Sequence, residues 1–162
     1  MEIRLLKTTL VGFVALLGFL YAGQNLINLD EAYFFVAMVS GMEGHSAYPS
    51  SLGPPVQSSF LIWLALGIIL LGEITTGLLA AKGTWDLWQA RKAPAGKFNA
   101  AKKYAILGCG MALIVWFGLF AVIGGAYFQM WQTEMGSLSL EGAFQYAGAS
   151  GIVLLFVNMA DN

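Results

Sequence analysis

The chain is short of charge, of histidine and of cysteine, and each shortage removes a class of function. Only 10% of its 162 residues are charged while 58% are hydrophobic. No single small core could hide that much apolar surface, so lipid has to cover the remainder. The one cysteine, Cys109, lies inside an apolar run, where it reads as a small buried residue that can form no intrachain disulfide. The one histidine, His45, stands near Glu43 in a polar stretch. A solitary loop histidine is a solvated side chain rather than a metal site. No apolar run contains a histidine, which argues against a membrane cytochrome with its own axial ligands. A phosphate-binding Gly-Lys loop, a His-Glu-x-x-His pair and a Ser, His and Asp set on facing helices are also missing. The expectation is a protein that is not an enzyme and carries no cofactor and no metal.

Basic residues are absent from two long stretches, 27–57 and 129–141. All eight Lys and Arg residues fall at Arg4 and Lys7, or between Lys82 and Lys103. A clustered basic content of this kind sets membrane orientation and gives no reason to expect nucleic acid as a partner.

Four apolar runs remain, at about 8–26, 58–81, 104–128 and 142–159, and the mean hydropathy is +0.71. Each is near the ~20 residues a helix needs to cross the hydrocarbon layer, and a helix satisfies its own backbone there. The fold class expected is all-α: a four-helix transmembrane bundle with N-in/C-in topology, forming one domain over 1–162. The basic asymmetry makes the 82–103 loop cytoplasmic and the 27–57 loop external. The place implied is a bacterial cytoplasmic (inner) membrane, with lipids as the immediate partners. Tyr21, Trp63, Tyr127 and Trp131 read as anchors at the outer boundary, and Trp85, Trp88 and Tyr104 as anchors at the inner one. Trp116, in mid-span, is the exception. Arg4 and Lys7 before an apolar stretch also resemble a signal peptide, but the stretch is too long for one.

The outer loop is too long for a plain connection. Asn28 followed by Glu31 has the form of a capping box, which predicts a short interfacial helix over Leu29 to Met42. Three of the four prolines then lie between Gly44 and Pro55, predicting an irregular return. On the cytoplasmic side, Thr84 to Ala90 predicts a helical extension that Pro94 and Gly96 break.

Glu73 is the one acidic residue well inside a span, nine residues before Lys82, or about 13 Å along the helix axis. Levelling the helices from their cytoplasmic ends puts it beside Ala15, Ala112 and Ser150 or Gly151, with Thr76 or Ser150 as hydrogen-bond partners. Three roles stay open: a carboxyl that pins packing, a group that transfers protons or ions, or a contact to another subunit or a lipid headgroup. Gln24, Asn25, Asn28, Gln129, Gln132 and Gln145 fall at similar depth and suggest a polar ring near the outer face. Twenty glycines dominate the packing signal. Gly18 and Ala22, Gly108 and Ala112, and Ala147 and Gly151 are spaced four apart, so each pair lines one helix face for close approach within the bundle, to another copy, or to other membrane subunits.

The segment Asn25 to Leu29, Phe35-Val36 with Val39 and Met42-Glu43, Glu73, and Met130-Trp131-Gln132 together resemble a bacterial family of predicted small integral membrane proteins classed only as a domain of unknown function. The resemblance covers most of the chain and implies four spans, with no established activity. A histidine often stands in that family where this chain has Met38, so a metal or proton role on that helix does not carry over. The function expected first is a non-catalytic membrane subunit or scaffold, self-associating or accessory to a larger complex. The alternative is a small proton-linked transporter or carrier that uses Glu73. Orientation is directly testable: cysteines at Ser50 and Asn99 should label from opposite sides of intact spheroplasts, Ser50 from outside, and external labelling of Asn99 would refute the topology.

Overall fold

A computed structural model describes residues 1–161, and every regular element among them is helical. In chain order these are α1 (Glu2–Ile27), α2 (Leu29–Ser40), α3 (Ser59–Ala90), α4 (Ala95–Ala100), α5 (Lys103–Leu113) and α6 (Glu134–Asn158). A wide-turn π segment, Ile114–Tyr127, continues α5, and a single 3-10 turn, Met130–Gln132, precedes α6. Four stretches are long and apolar enough to cross a membrane: Glu2–Ile27, Ser59–Ala90, Ala95–Tyr127 and Glu134–Asn158. The result is an all-α bundle.

The helices outrun the apolar runs because helix propensity and capping do not stop where hydropathy does. α1 starts at Glu2 rather than near residue 8, and α6 starts at Glu134 rather than 142. Thr133 caps α6, its hydroxyl accepting from the Gly136 amide at 3.1 Å. α3 runs on through the first part of the expected basic loop to Ala90, carried by a Lys82–Asp86 ion pair one turn apart. Neither expected breaker ends it: α3 stops at Ala90, Pro94 starts α4 as its capping residue, and Gly96 lies inside α4.

α2 forms where expected and ends two residues early, at Ser40. Gly41 closes it, and Met42 turns the backbone left-handed at φ 55°. The expected capping box is not made: the Asn28 side chain donates instead to the Gln24 carbonyl at 2.8 Å, closing the end of α1. Helix α2 lies against α3 and α1. Tyr33 stacks on Trp63 with centroids 4.6 Å apart and bonds Ser59 at 3.2 Å. Phe35, Val36 and Val39 face Ile69 and Phe120 across an apolar cavity of about 210 Å³.

α1 packs on α3, α3 on α5, and α5 with its π continuation on α6. Each neighbour is antiparallel to the last. As α1 rises from Gly12 to Gly18, its partner on α3 falls from Thr84 to Gly77. Gly83 lies on the Ala105 backbone, Gly108 on that of Ala80 and Gly72 on the Val115 side chain, so the α3–α5 seam is equally close. Both termini and the α3–α5 connection therefore share one end of the bundle, the basic end.

There the basic residues do more than flank a span. Arg4 pairs with Asp161 and donates to the carbonyls of Arg91 at 3.0 Å and Ala93 at 2.6 Å. Lys7 and Lys102, only 2% and 3% exposed, both donate to the Met159 carbonyl at 2.7 Å, which meets the negative end of α6 with positive charge. Asn99 bonds the Asp161 backbone in both directions, at 3.0 and 2.9 Å. The Phe98 ring, fully buried, lies under Arg4 with the guanidinium 4.8 Å from its centroid.

Two predictions follow from this packing. A Cβ on Gly18 would stand 2.6 Å from the Glu73 carbonyl oxygen and 2.7 Å from the Gly77 amide nitrogen, both backbone atoms. Gly18→Val should cost about 1–3 kcal/mol by overpacking, whereas Gly67→Ala, with nothing within 4 Å, should be neutral or stabilising. Thermal unfolding of both variants in detergent, followed by size-exclusion chromatography, reads the difference. The second concerns Asp161, whose carboxyl is held below its ordinary range, first by the Arg4 hydrogen bond and against the opposing effect of desolvation. A depressed carboxyl stabilises the fold above its unfolded-state value and loses that contribution as pH falls through the folded one. Asp161→Asn should therefore lower Tm at neutral pH, and its gap to the parent should close in acid; a gap constant down to about pH 3 would contradict the assignment.

Candidate functional site

Glu73 points into the bundle interior and is 1% exposed. Its partner is Asn25 of α1, whose side-chain amide donates to both carboxylate oxygens, at 3.1 and 3.0 Å. Neither Thr76 nor Ser150 serves it. The Thr76 hydroxyl donates to the Gly72 carbonyl at 2.9 Å, and the Ser150 hydroxyl is buried without a partner. Among the described residues the ion pairs are Arg4–Asp161 and Lys82–Asp86, so no cation faces Glu73.

The levelling was wrong by about two turns on α1 and α6. Its error was to start α1 at residue 8 and end α3 at Lys82, when the two continue to Glu2 and Ala90. In addition, a helical side chain leans toward its helix N-terminus, and α3 begins at the end away from the basic residues. The carboxyl is thus displaced from Ala15 toward Tyr21 and Asn25, and from Ser150 toward Ala143 and Tyr146.

At that level five helical segments meet around a cavity of about 310 Å³. α1 contributes Tyr21 and Asn25, α2 Phe35, α3 Glu73, the π segment Trp116, and α6 Tyr146. The Tyr21 hydroxyl donates to that of Tyr146. Trp116, 2% exposed, stands edge-on to both rings with centroids 5.9 Å away. Tyr21 is therefore an interior residue and not a boundary anchor; it falls on the α1 face that also carries Gly18 and Asn25, at helical spacing. Trp63, Trp85, Trp88, Tyr127 and Trp131 keep exposed faces.

A second cavity, of about 280 Å³, adjoins the first and shares Asn25, Phe35 and Phe120 with it. Gln24, Asn28 and Glu31 line its far side. Polar groups thus lead from the end of the bundle opposite the basic one down to Asn25 and Glu73. Below Glu73, toward the basic end, Gly18 against Gly77 and Gly108 against Ala80 bring backbones together, and an apolar cavity of about 270 Å³ between α1 and α6, lined by Leu10, Val14, Ser150 and Val153, adjoins Tyr146 from that side.

The expected polar ring is divided. Asn25 alone reaches Glu73 and Gln24 and Asn28 line the adjoining cavity, whereas Gln132 accepts from the amides of Ala47 and Tyr48, at 2.9 and 2.8 Å, and donates to Gln129 at 2.7 Å, fastening the long loop. Gln145 is exposed and stands apart. The expected packing residues all meet their own chain: Ala22, Ala112 and Ala147 are buried, and Gly151 faces the Leu113 side chain at 3.7 Å. His45 is partly exposed in the loop. Among the described residues no three His, Cys, Asp or Glu side chains come close enough to hold a metal.

The family described as predicted small integral membrane protein (DUF2165) matches residues 3–160. The chain belongs to it. The match spans the termini, the loop helix and Glu73 alike, and the family's description assigns no activity. No curated protein matches the DUF2165 chain, and no solved structure does.

Proposed function

We propose that this protein is a small proton-linked membrane carrier in which Glu73 is the exchanging group. The observation that carries the reading is a carboxyl buried in the bundle interior with one neutral amide as its donor and a polar path to one end only. Magnitudes favour exchange. Burying an ionised carboxylate costs several kcal/mol even after relaxation, and a hydrogen bond to a charged group returns only about 1.5–3 kcal/mol. Something else has to neutralise Glu73, a proton or an arriving cation, and either makes occupancy depend on the medium. With the basic end cytoplasmic, the path opens outward, so the bundle is in an outward-open arrangement. A cytoplasmic membrane of a bacterium is the setting this orientation implies.

A second reading, an accessory or scaffold subunit, is favoured by the apolar side chains displayed by the α2 and loop surface, among them Phe34 at 69% and Leu52 at 84% exposure. Its other support is weaker, because the small-residue pairs are occupied inside the chain.

Reconstitution separates the two. Proteoliposomes of the parent should dissipate an imposed pH gradient, or accumulate a solute against it, and Glu73→Gln should abolish this by at least about tenfold, or 1.4 kcal/mol. The same variant should keep its elution volume and melting temperature, because the amide retains the size of the acid. Gln-variant liposomes indistinguishable from the parent would leave Glu73 as a packing residue and favour the subunit reading.

A further inference from the structure

We propose that the cavity beside Glu73 binds a small organic ammonium ion, an inference that rests on the carrier reading of that same cavity. Its wall carries a carboxylate and, among the described residues, no cation. A carboxylate offers about four lone-pair sites, and Asn25 fills one on each oxygen. The remaining sites favour a positive ligand and repel phosphates and carboxylic acids. Three aromatic rings, Tyr21, Trp116 and Tyr146, stand around the same space with centroids 4.9 to 5.9 Å apart and planes inclined by 49° to 74°. All three line the cavity, and an alkylammonium group is attracted to whichever of their faces meets it.

Size and access agree. About 310 Å³ holds a trimethylammonium group with a short tail, and the adjoining 280 Å³ gives the tail an exit. Glu31 at that exit adds negative charge where a cation would enter. Binding is an exchange in which charge balances: the ammonium ion enters, the Glu73 proton leaves to water, and no bond to the ligand forms. The titratable groups facing this space are Tyr21 from α1, Glu31 at the mouth from α2, Glu73 from α3 and Tyr146 from α6. The π segment contributes Trp116 and Phe120 and no titratable group.

The test compares choline with 3,3-dimethyl-1-butanol, its uncharged carbon analogue, by isothermal titration of the full chain in detergent. Choline should bind at least about tenfold more tightly than the alcohol. It should release up to one proton, seen as a heat that depends on the buffer, and bind more weakly in acid. Glu73→Gln should lower choline affinity about tenfold or more, and Trp116→Phe, which keeps an apolar ring, several-fold, with elution volumes unchanged. Equal affinity for choline and the alcohol, no binding of choline, or parent-like binding by Glu73→Gln would overturn the ligand class. The two proposals fail separately. Loss of pH-linked transport in Glu73→Gln without selectivity for choline would remove the ammonium ligand and keep the carrier. Selective, Glu73-dependent binding in a protein that moves no protons would remove the carrier and keep the site.

Discussion

Because Gly18 has no side chain, α1 comes against the Glu73 carbonyl and the Gly77 amide with only backbone between them, and the position of every other group in the interior depends on that approach. Two turns further along α1, the closeness lets a side chain as short as asparagine reach both oxygens of Glu73. The same approach is repeated where Gly83 and Gly108 bring α5 onto α3. Lipid supplies no hydrophobic drive for helices to associate, so contact between such backbones is what holds them. A tight α1–α3 seam on the basic side of Glu73 and large aromatic side chains on the other put the polar cavities at the far end, with only an apolar hollow between α1 and α6 toward the basic one.

What could be read from the sequence divides along the same physical line. Hydropathy reports which residues face lipid, so the four spanning stretches were legible, as was the loop helix at Leu29, set out by a short apolar run after Asn28. Depth was not legible, because hydropathy does not say where a helix stops: α1 and α3 continue through charged turns to Glu2 and Ala90, and levelling from the apolar edges displaced Glu73 by about two turns. Tyr21 failed for a related reason. An aromatic residue near a span end is as good an anchor as a cavity wall until the depth is known. A signal was nevertheless present in helical spacing, since Gly18, Tyr21 and Asn25 share one face of α1, and Ala143, Tyr146 and Ser150 share one face of α6.

The basic residues illustrate how one composition signal can serve two physical roles. Counted by position, Arg4, Lys7 and Lys102 are orientation charges. In the fold, Lys7 and Lys102 converge on the Met159 carbonyl while Arg4 ties Asp161 to the turn after α3. Buried ammonium groups are costly unless bonded, and an α6 terminus at this depth has carbonyls that no helical amide reaches. Each deficit meets the other, and the two termini, already brought to one end by four antiparallel spans, are fastened there.

The π segment bears on how such a bundle could open. Its i to i+5 bonding, seen at its end where the Phe128 amide donates to the Ile123 carbonyl at 3.0 Å, is wider than an α-helix and less common, and shorter segments of this kind are frequent at functional sites. Here it begins at Ile114, directly after the part of α5 that packs on glycine, and it carries Trp116 and Phe120 into the cavities. Returning part of it to α-helical winding would rotate those two side chains about the helix axis while Gly83 stayed on Ala105 and Gly108 on Ala80. Trp116 is in contact with both tyrosines, so such a rotation would reshape the wall around Glu73 while the glycine contacts held the bundle together. The element best able to change shape is therefore the one that presents its aromatic side chains to the buried carboxyl.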